Sequence, residues 1–434
     1  MAWDRDDADT RAKHRDHELA RYVRHELAAY SPDHRRRLFR AGVETRAVKG
    51  LADLGRVTPT DWADVEADPS SFLLRPEEGD IARHGDRRLV WAITRARLLR
   101  RHDHVNREII DPQFKPVHWH LDHGVPIGST GHDLDRLGEA GSRMLQVAGL
   151  SRYDVLVGVG QPGPHLAYWQ TVLGARTAQV PALHLGPDAA PDLVAGARPT
   201  VLAGDPASLE GVLARLVTAG AEVPELHTVI ATGERLDAGW RDALLAAAEQ
   251  VSATPDPPAV VAAWAPRGAR ALWAECREGP GFHTYPDFEI LEVADDQGRM
   301  RLSGRGELVW TALGWRGTAF VRLRTGEAVT LVDQVCPACS RQGPMIVTGD
   351  RRRPALALRA LGGHDEVSAF QVELRNVDGE EEIVVFLAPE RGADLAEVLA
   401  DVDTRLHATQ YVVLTRREIE RKVAAAGSRI VDLR

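Results

Sequence analysis

The hydrophobic positions of this chain change period along its length. Over residues 11–30, Leu19, Tyr22, Val23 and Leu27 fall at helical spacing, and Ser31-Pro32 ends that run with a cap signal for a second helix. Thr58-Pro59-Thr60-Asp61 opens another short helix. Residues 88–110 predict a long amphipathic helix on Leu89, Ile93, Leu98, Leu99, Val105 and Ile109, ended by Asp111-Pro112. Its arginines read as a solvated face rather than a binding stripe. From residue 133 the pattern alternates. Helical stretches at 134–148, 165–175, 207–219 and 238–250 are interleaved with short β-branched runs at 155–159, 180–185, 200–203 and 228–231. That alternation predicts βαβ units around a mostly parallel sheet. After Pro255-Asp-Pro-Pro258 the chain turns strand-rich through 344–347, which reads as a smaller antiparallel region. The tail from about residue 362 predicts a small α+β lobe: two apolar runs (370–374 and 382–387), a helix at 394–407 and a further run at 410–414.

A chain of 434 residues exceeds a single core, and two or three domains are expected. The boundaries read as a helical N-terminal extension at 1–110, an α/β core at 111–350 and a small C-terminal lobe at 351–434. A formal net charge of −9 argues against a nucleic-acid partner. No apolar run is long enough to predict a membrane span. The start, Met1-Ala-Trp-Asp-Arg-Asp-Asp, is too acidic for a secretory signal, and three cysteines do not suggest an exported disulfide framework. A cytoplasmic protein is expected. Lysine occurs only at Lys13, Lys49, Lys115 and Lys422, so any chemistry needing a lysine has few candidates.

All three cysteines cluster in sequence: Cys276, then His283 in a Cys-x6-His spacing, then Cys336-Pro337-Ala338-Cys339. A Cys-x2-Cys pair supplies two soft thiolates from one turn, and a second Cys/His arm completes a tetrahedron around a structural zinc. Two other readings stay open, a redox disulfide and cysteines that are simply small buried apolar residues. A second unusual run is Lys115-Pro-Val-His118-Trp-His120-Leu-Asp-His123, with His102 and His104 upstream. In an extended segment His118 and His120 share one face, which suits metal chelation or acid/base work; a stretch of exposed histidines is the alternative.

Several segments carry a resemblance in their order: 231–240 (Ala-Thr-Gly-Glu-Arg-Leu-Asp-Ala-Gly-Trp), 274–283 around Cys276, Gly306-Glu-Leu-Val-Trp-Thr-Ala-Leu313, Ala319-Phe-Val-Arg-Leu-Arg-Thr-Gly-Glu327, 336–341, and the ending Ser428-Arg-Ile-Val-Asp-Leu-Arg434. Together they resemble the phenylacetate–CoA ligase branch of the adenylate-forming superfamily over residues 130–434. The resemblance implies an α/β adenylate-forming-type large domain with mixed sheets, plus a small mobile C-terminal lobe. It implies activation of a carboxylic acid by ATP and Mg2+ and transfer of the acyl group to CoA or another thiol. Thr232, Gly233 and Glu234 would then border adenine, Trp264 would give it an aromatic face, and Glu327 would accept from the ribose hydroxyls where the family carries Asp. Arg324 would neighbour the phosphates, and Lys422 is the lysine nearest to the catalytic position of the small lobe. A hairpin turn with a solvated ion pair is the other reading of Arg324 and Glu327.

Three parts of that pattern are altered. The phosphate loop has one candidate, Gly128-Ser-Thr-Gly131, which is short, lacks a lysine and also reads as a turn or helix cap. Gly268 in Ala263-Trp-Ala-Pro-Arg-Gly268 falls where a Mg2+-holding carboxylate belongs, and Ala426 falls where the small-lobe lysine belongs. Losing one such group typically costs about two to three orders of magnitude in rate. Two functions follow as expectations. One is an AMP-forming acid–thiol ligase with altered residues; the other is an inactive relative that binds a ligand or a partner enzyme, with a homodimer open in either case.

Overall fold

A computed structural model of the chain describes residues 4–76, 78–84, 87–99, 107, 110–236, 238–277, 281–295, 297–347, 361, 364, 366–377, 380–406, 408–426 and 430–433. It divides into two compact units, Met1–Arg235 with Leu244–Gly349 and Leu236–Ala243 with Asp350–Arg434. No helix among the described residues is long and apolar enough to cross a membrane.

The first unit is built on one twelve-stranded mixed sheet. Its strands are β3 (Leu156–Gly158), β4 (Ala182–His184), β5 (Val201–Gly204), β6 (Thr228–Thr232), β7 (Ala259–Trp264), β8 (Trp273–Glu275), β9 (Phe282–His283), β10 (Glu289–Ala294), β11 (Met300–Arg301), β12 (Gly304–Ala312), β13 (Leu323–Asp333) and β14 (Pro344–Val347). Their spatial order is β11-β10-β12-β13-β14-β9-β8-β7-β6-β5-β3-β4. From β4 to β7 the neighbours run parallel, and from β7 to β11 they run antiparallel. The antiparallel strands expected after Pro258 are therefore continuous with the parallel sheet. They continue it through β7, whose residues pair on one edge with β6 and on the other with β8. A separate hairpin, β1 (His118–Asp122) with β2 (Val125–Ser129), precedes the sheet.

β3, β5 and β6 are apolar and wholly buried because helices Gly131–Val147, Leu166–Ala178 and Pro206–Ala219 pack around the parallel sheet. The N-terminal helices Ala8–Tyr22, Pro32–Arg40 and Trp62–Ala67 belong to this same unit. Ser31 caps the second of them by accepting from the His34 N–H at 3.3 Å. That segment is tied to the sheet by the bridges Thr60–Leu323 and Leu73–Thr318 and by His34 Nε2 against the Ala319 carbonyl at 2.9 Å. Helix Arg87–Leu98 covers the first part of the long helix expected there; most of residues 100–109 lie outside the described residues.

The second unit holds a four-stranded sheet, β17-β16-β15-β18, from β15 (Val367–Val377), β16 (Glu380–Pro389), β17 (Gln410–Val413) and β18 (Ile430–Leu433). The apolar run of β16 is buried on both faces. Ile383, Val385 and Leu387 pack with Val398 and Val402 of helix Leu395–Leu406, and Val384, Phe386 and Ala388 pack with Ile419 of helix Arg416–Ala426.

Glu289 on β10 sits in the core of the first unit. Its carboxyl accepts from Trp273 Nε1 at 2.5 Å, Trp310 Nε1 at 2.7 Å and the Tyr285 N–H at 3.0 Å. Burial nonetheless dominates and pushes its pKa up to about 7 from 4.5. The folded state thus binds a proton that the unfolded chain has released, over the window from about pH 4.5 to about pH 7. Stability from this group is full below the lower value and falls as pH rises through the upper one, by on the order of 3 kcal/mol. Glu289→Gln is expected to remove that slope, and to destabilise outright because its amide N–H must face an indole or backbone N–H. Urea unfolding at pH 5 and pH 7.5 measures both; an unchanged difference between the two pH values would contradict this assignment.

Candidate functional site

A cavity of about 570 Å³ opens at the carboxyl ends of the parallel strands, where open α/β sheets present ligand crevices. β1 supplies His120 and Asp122, and His123 follows it. The segment after β3 supplies His165 and Tyr168, and β4 supplies His184. Asp205 follows β5, Thr232-Gly233-Glu234 end β6, and Arg267 follows β7. His184 reaches the wall because Gly158 lies beneath it: a Cβ there would come within 2.4 Å of the His184 ring. His120 is 2% exposed, and its Nε2 has no hydrogen-bond partner. Burial, with Arg270 as a second cause, lowers its pKa to about 3, so the imidazole is neutral. Burial also lowers His184. Asp205 caps helix Pro206–Ala219, accepting from the Ser208 N–H at 2.9 Å and its hydroxyl at 2.6 Å. Asp122 accepts from the Gly268 N–H at 2.6 Å and pairs with His123 at 2.7 Å. Glu234 and Arg267 differ from these. Among the described residues neither makes a hydrogen bond or an ion pair, and Arg267 only lies 5.4 Å over the Trp62 ring. Burial first, and Asp205 second, push the Glu234 pKa up.

The segment Gly128-Ser-Thr-Gly131 is a strand end and a helix cap. Thr130 caps helix Gly131–Val147, accepting from the Asp133 N–H at 3.2 Å while Asp133 accepts from the Thr130 N–H at 3.0 Å. Ser129 and Thr130 are both buried. Inside the turn lies Arg270, 1% exposed, which donates to Ser129 Oγ at 2.6 Å, to the Gly128 carbonyl at 3.1 Å and to the Thr318 carbonyl. The hydroxyl that would face a phosphate is engaged by the protein's own guanidinium. Gly268 has φ +79°, and a Cβ there would meet Leu323 at 2.1 Å, so no side chain fits in its present backbone.

Of the residues expected at a nucleotide, Thr232, Gly233 and Glu234 line the cavity together. Trp264 and Glu327 lie elsewhere and are joined by Arg235. Its guanidinium lies 4.3 Å over the Trp264 ring and is ion-paired with Glu327. Arg324 is half exposed on β13 and pairs with Glu307, Nε to Oε2 at 2.9 Å. Lys422 belongs to the second unit, where it donates to Glu373 at 2.8 Å and lies 4.1 Å over Phe386. His118 packs edge-on against Trp169, while His102 and His104 lie outside the described residues.

The four expected metal ligands converge. The ligand atoms of Cys276, His283, Cys336 and Cys339 all lie within 4.8 Å of one another. Cys276 Sγ and Cys336 Sγ are 3.8 Å apart, and Cys339 Sγ is 3.4 Å from His283 Nε2. A tetrahedral zinc site needs about 3.8 Å between sulfurs and about 3.6 Å between sulfur and nitrogen. The thiols are free, and 3.8 Å is far outside a disulfide bond. Burial lowers His283 to about 4, which keeps its imidazole neutral, and pushes Cys276 up to about 12. No other group of three or more His, Cys, Asp or Glu among the described residues gathers this closely. The donor set fits a metal with no ligand position left for water.

Sequence reasoning missed Arg235, Arg267, Arg270, His165 and His184. Arg270 had a legible signal, a lone charge within Ala269-Arg-Ala-Leu-Trp-Ala274. The two histidines stand at ends of predicted elements, where a crevice was to be expected.

No protein-family model matches the sequence, and no curated protein does. Solved structures do. The chain is similar to a 2-hydroxyisobutyryl-CoA ligase in its postadenylation state, with a TM-score of 0.67, 16% identity, and coverage of 98% of this chain and 93% of that one. The same ligase with 2-HIB-AMP and CoA in the thioesterification state gives a TM-score of 0.64 at 17% identity, over 100% of this chain and 91% of that one. The fold is thus that of the AMP-forming acid–CoA ligases: a large mixed-sheet α/β body and a smaller C-terminal lobe.

Proposed function

We propose that this chain is a carboxylic-acid-binding relative of the acid–CoA ligases, most akin to the phenylacetate–CoA ligase branch. It holds a small acid, free or as its adenylate or CoA thioester, in the histidine-lined cavity without forming the adenylate from ATP. The observation that carries this is the closed turn at Ser129-Thr130, stitched from inside by Arg270. The cavity's charge agrees. Arg267 is the one arginine or lysine among the described lining residues, against Asp122, Asp205 and Glu234, a poor balance for a triphosphate. Gly268 offers no carboxylate for Mg2+. We further propose a structural zinc on Cys276, His283, Cys336 and Cys339, which clamps strands β8 and β9 to the 336–339 loop and takes no part in chemistry.

A second reading, an active AMP-forming ligase, is favoured by Thr232, Gly233 and Glu234 lining the cavity. In that case Trp264, Arg324 and Glu327 would contact nucleotide and Lys422 would have to leave Glu373. One experiment separates the two. Pyrophosphate release is measured with ATP, Mg2+, CoA and a panel of aryl and short acyl acids, beside thermal shifts with the acids, their acyl-sulfamoyl adenosines and their CoA thioesters. Binding without pyrophosphate is expected. Acid-dependent pyrophosphate release would establish the ligase instead, and no shift with any compound would end the binding reading.

A further inference from the structure

The cavity contains two charges that the protein leaves unmatched, and they are of opposite sign. Of its four charged carboxylate and guanidinium residues, Asp122 is committed to Gly268 and His123, and Asp205 to the cap of helix Pro206–Ala219. Arg267 and Glu234 have no such partner among the described residues. They follow adjacent parallel strands, β7 and β6, yet do not pair with each other. Arg267 adjoins Gly268, which the β1 residue Asp122 grips, whereas Glu234 lies toward Asp205 at the end of β5. A guanidinium in contact with Glu234 would hold it ionised; instead burial and Asp205 push its pKa up. Glu234, beside Asp205, gains from a cation, and Arg267 gains from an anion. The same cavity offers further hydrogen-bonding groups, His120 with its unpartnered Nε2 and the histidines His165 and His184.

From this juxtaposition we infer that the cavity takes a small zwitterion, a carboxylic acid that also carries a protonated amine. Its carboxylate lies on Arg267, where a planar fork can donate to both oxygens, and its ammonium lies toward Glu234 and Asp205. The inference rests on the acid-binding reading above and narrows it. A plain acid satisfies Arg267 but buries Glu234 against Asp205 with no compensating cation. A plain amine leaves the guanidinium unmatched. Both are therefore discriminated against, and the cavity selects by paired charge rather than by size.

Isothermal titration of the full-length protein tests this. The probes are the twenty standard amino acids, β-alanine and 4-aminobutyrate, each beside the matched acid lacking the amine and the matched amine lacking the carboxylate. At least one zwitterion is expected to bind about tenfold or more tighter than both of its matched compounds, the effect of one charge-assisted contact. Glu234→Gln should abolish the advantage over the plain acid, weakening the zwitterion and leaving the plain acid's affinity the same or higher, since the uncompensated carboxylate is gone. Arg267→Gln should weaken zwitterion and acid alike by about tenfold without weakening the amine. Circular dichroism of both variants establishes that they fold. If plain acids match the zwitterions throughout, or if Glu234→Gln keeps the advantage, this inference is overturned and acid binding stands. If neither class binds, this inference falls, and the thermal shifts with aryl acids, acyl-sulfamoyl adenosines and CoA thioesters decide the acid-binding reading separately.

Discussion

Asp133→Ala is expected to cost on the order of 4 kcal/mol or more, enough to leave much of the protein unfolded. Asp133 is fully buried. One carboxylate oxygen accepts from the Arg316 N–H at 2.7 Å, and the other accepts from the Gly317 N–H at 2.6 Å and the Thr130 N–H at 3.0 Å. Arg270, equally buried, lies 3.9 Å away as its countercharge. Removal leaves two buried N–H groups and one partly buried one without an acceptor, each buried one worth about 1–3 kcal/mol. It also leaves a buried guanidinium with no carboxylate close by. Asp133→Asn keeps the shape but turns an N–H toward one of those donors, so it should fall between the two. Denaturant unfolding gives the numbers, and a loss under about 1 kcal/mol for alanine would contradict the picture. The same carboxylate also fixes the Ser129-Thr130 turn on which the proposed function rests.

Cys336→Ser should abolish metal binding and lower stability by at least about 3 kcal/mol, since a structural zinc contributes its binding energy to folding. The wild-type protein is expected to purify with one zinc per chain, by elemental analysis, and a strong chelator should lower its melting temperature by several degrees. Cys336 is fully buried in the core that also holds Cys276, Met345 and Leu272. Packing alone predicts something different. A serine in an apolar pocket would then cost about 1–3 kcal/mol, chelator would have no effect, and Cys336→Ala would be better tolerated than Cys336→Ser. Under the metal reading both substitutions lose the ion and fall together. A zinc-free wild type with chelator-insensitive melting would remove the proposed clamp.

Much of the architecture was legible because it is written in short-range periodicity. The β-branched runs at 155–159, 200–203 and 228–231 became β3, β5 and β6, with helices between them. The Ile383–Leu387 run became a strand because its alternate residues each find a helix. What composition did not record at Pro255-Asp-Pro-Pro258 is that the antiparallel strands extend the same sheet. Composition changes there because strands turn antiparallel, but hydrogen bonding continues across β7 and β8, and no local pattern records which edge a strand will join. The small C-terminal lobe that was expected is a second compact unit, with its own sheet and cores.

The site divides along the same line. By itself the sequence determined the residue types and the spacing of the cysteine–histidine cluster, the glycine at position 268, and the poverty in lysine. Each of these depends only on which residue stands where. Tertiary structure alone decided that Ser129 is answered by Arg270, 141 positions away, and that Glu327 is answered by Arg235, 92 positions away. It alone left Arg267 and Glu234 lining a cavity with no hydrogen-bond or ion-pair partner among the described residues. A charge acts over a few ångströms of space regardless of its distance along the chain, so whether a carboxylate awaits a ligand or is already neutralised is fixed only once the chain has folded.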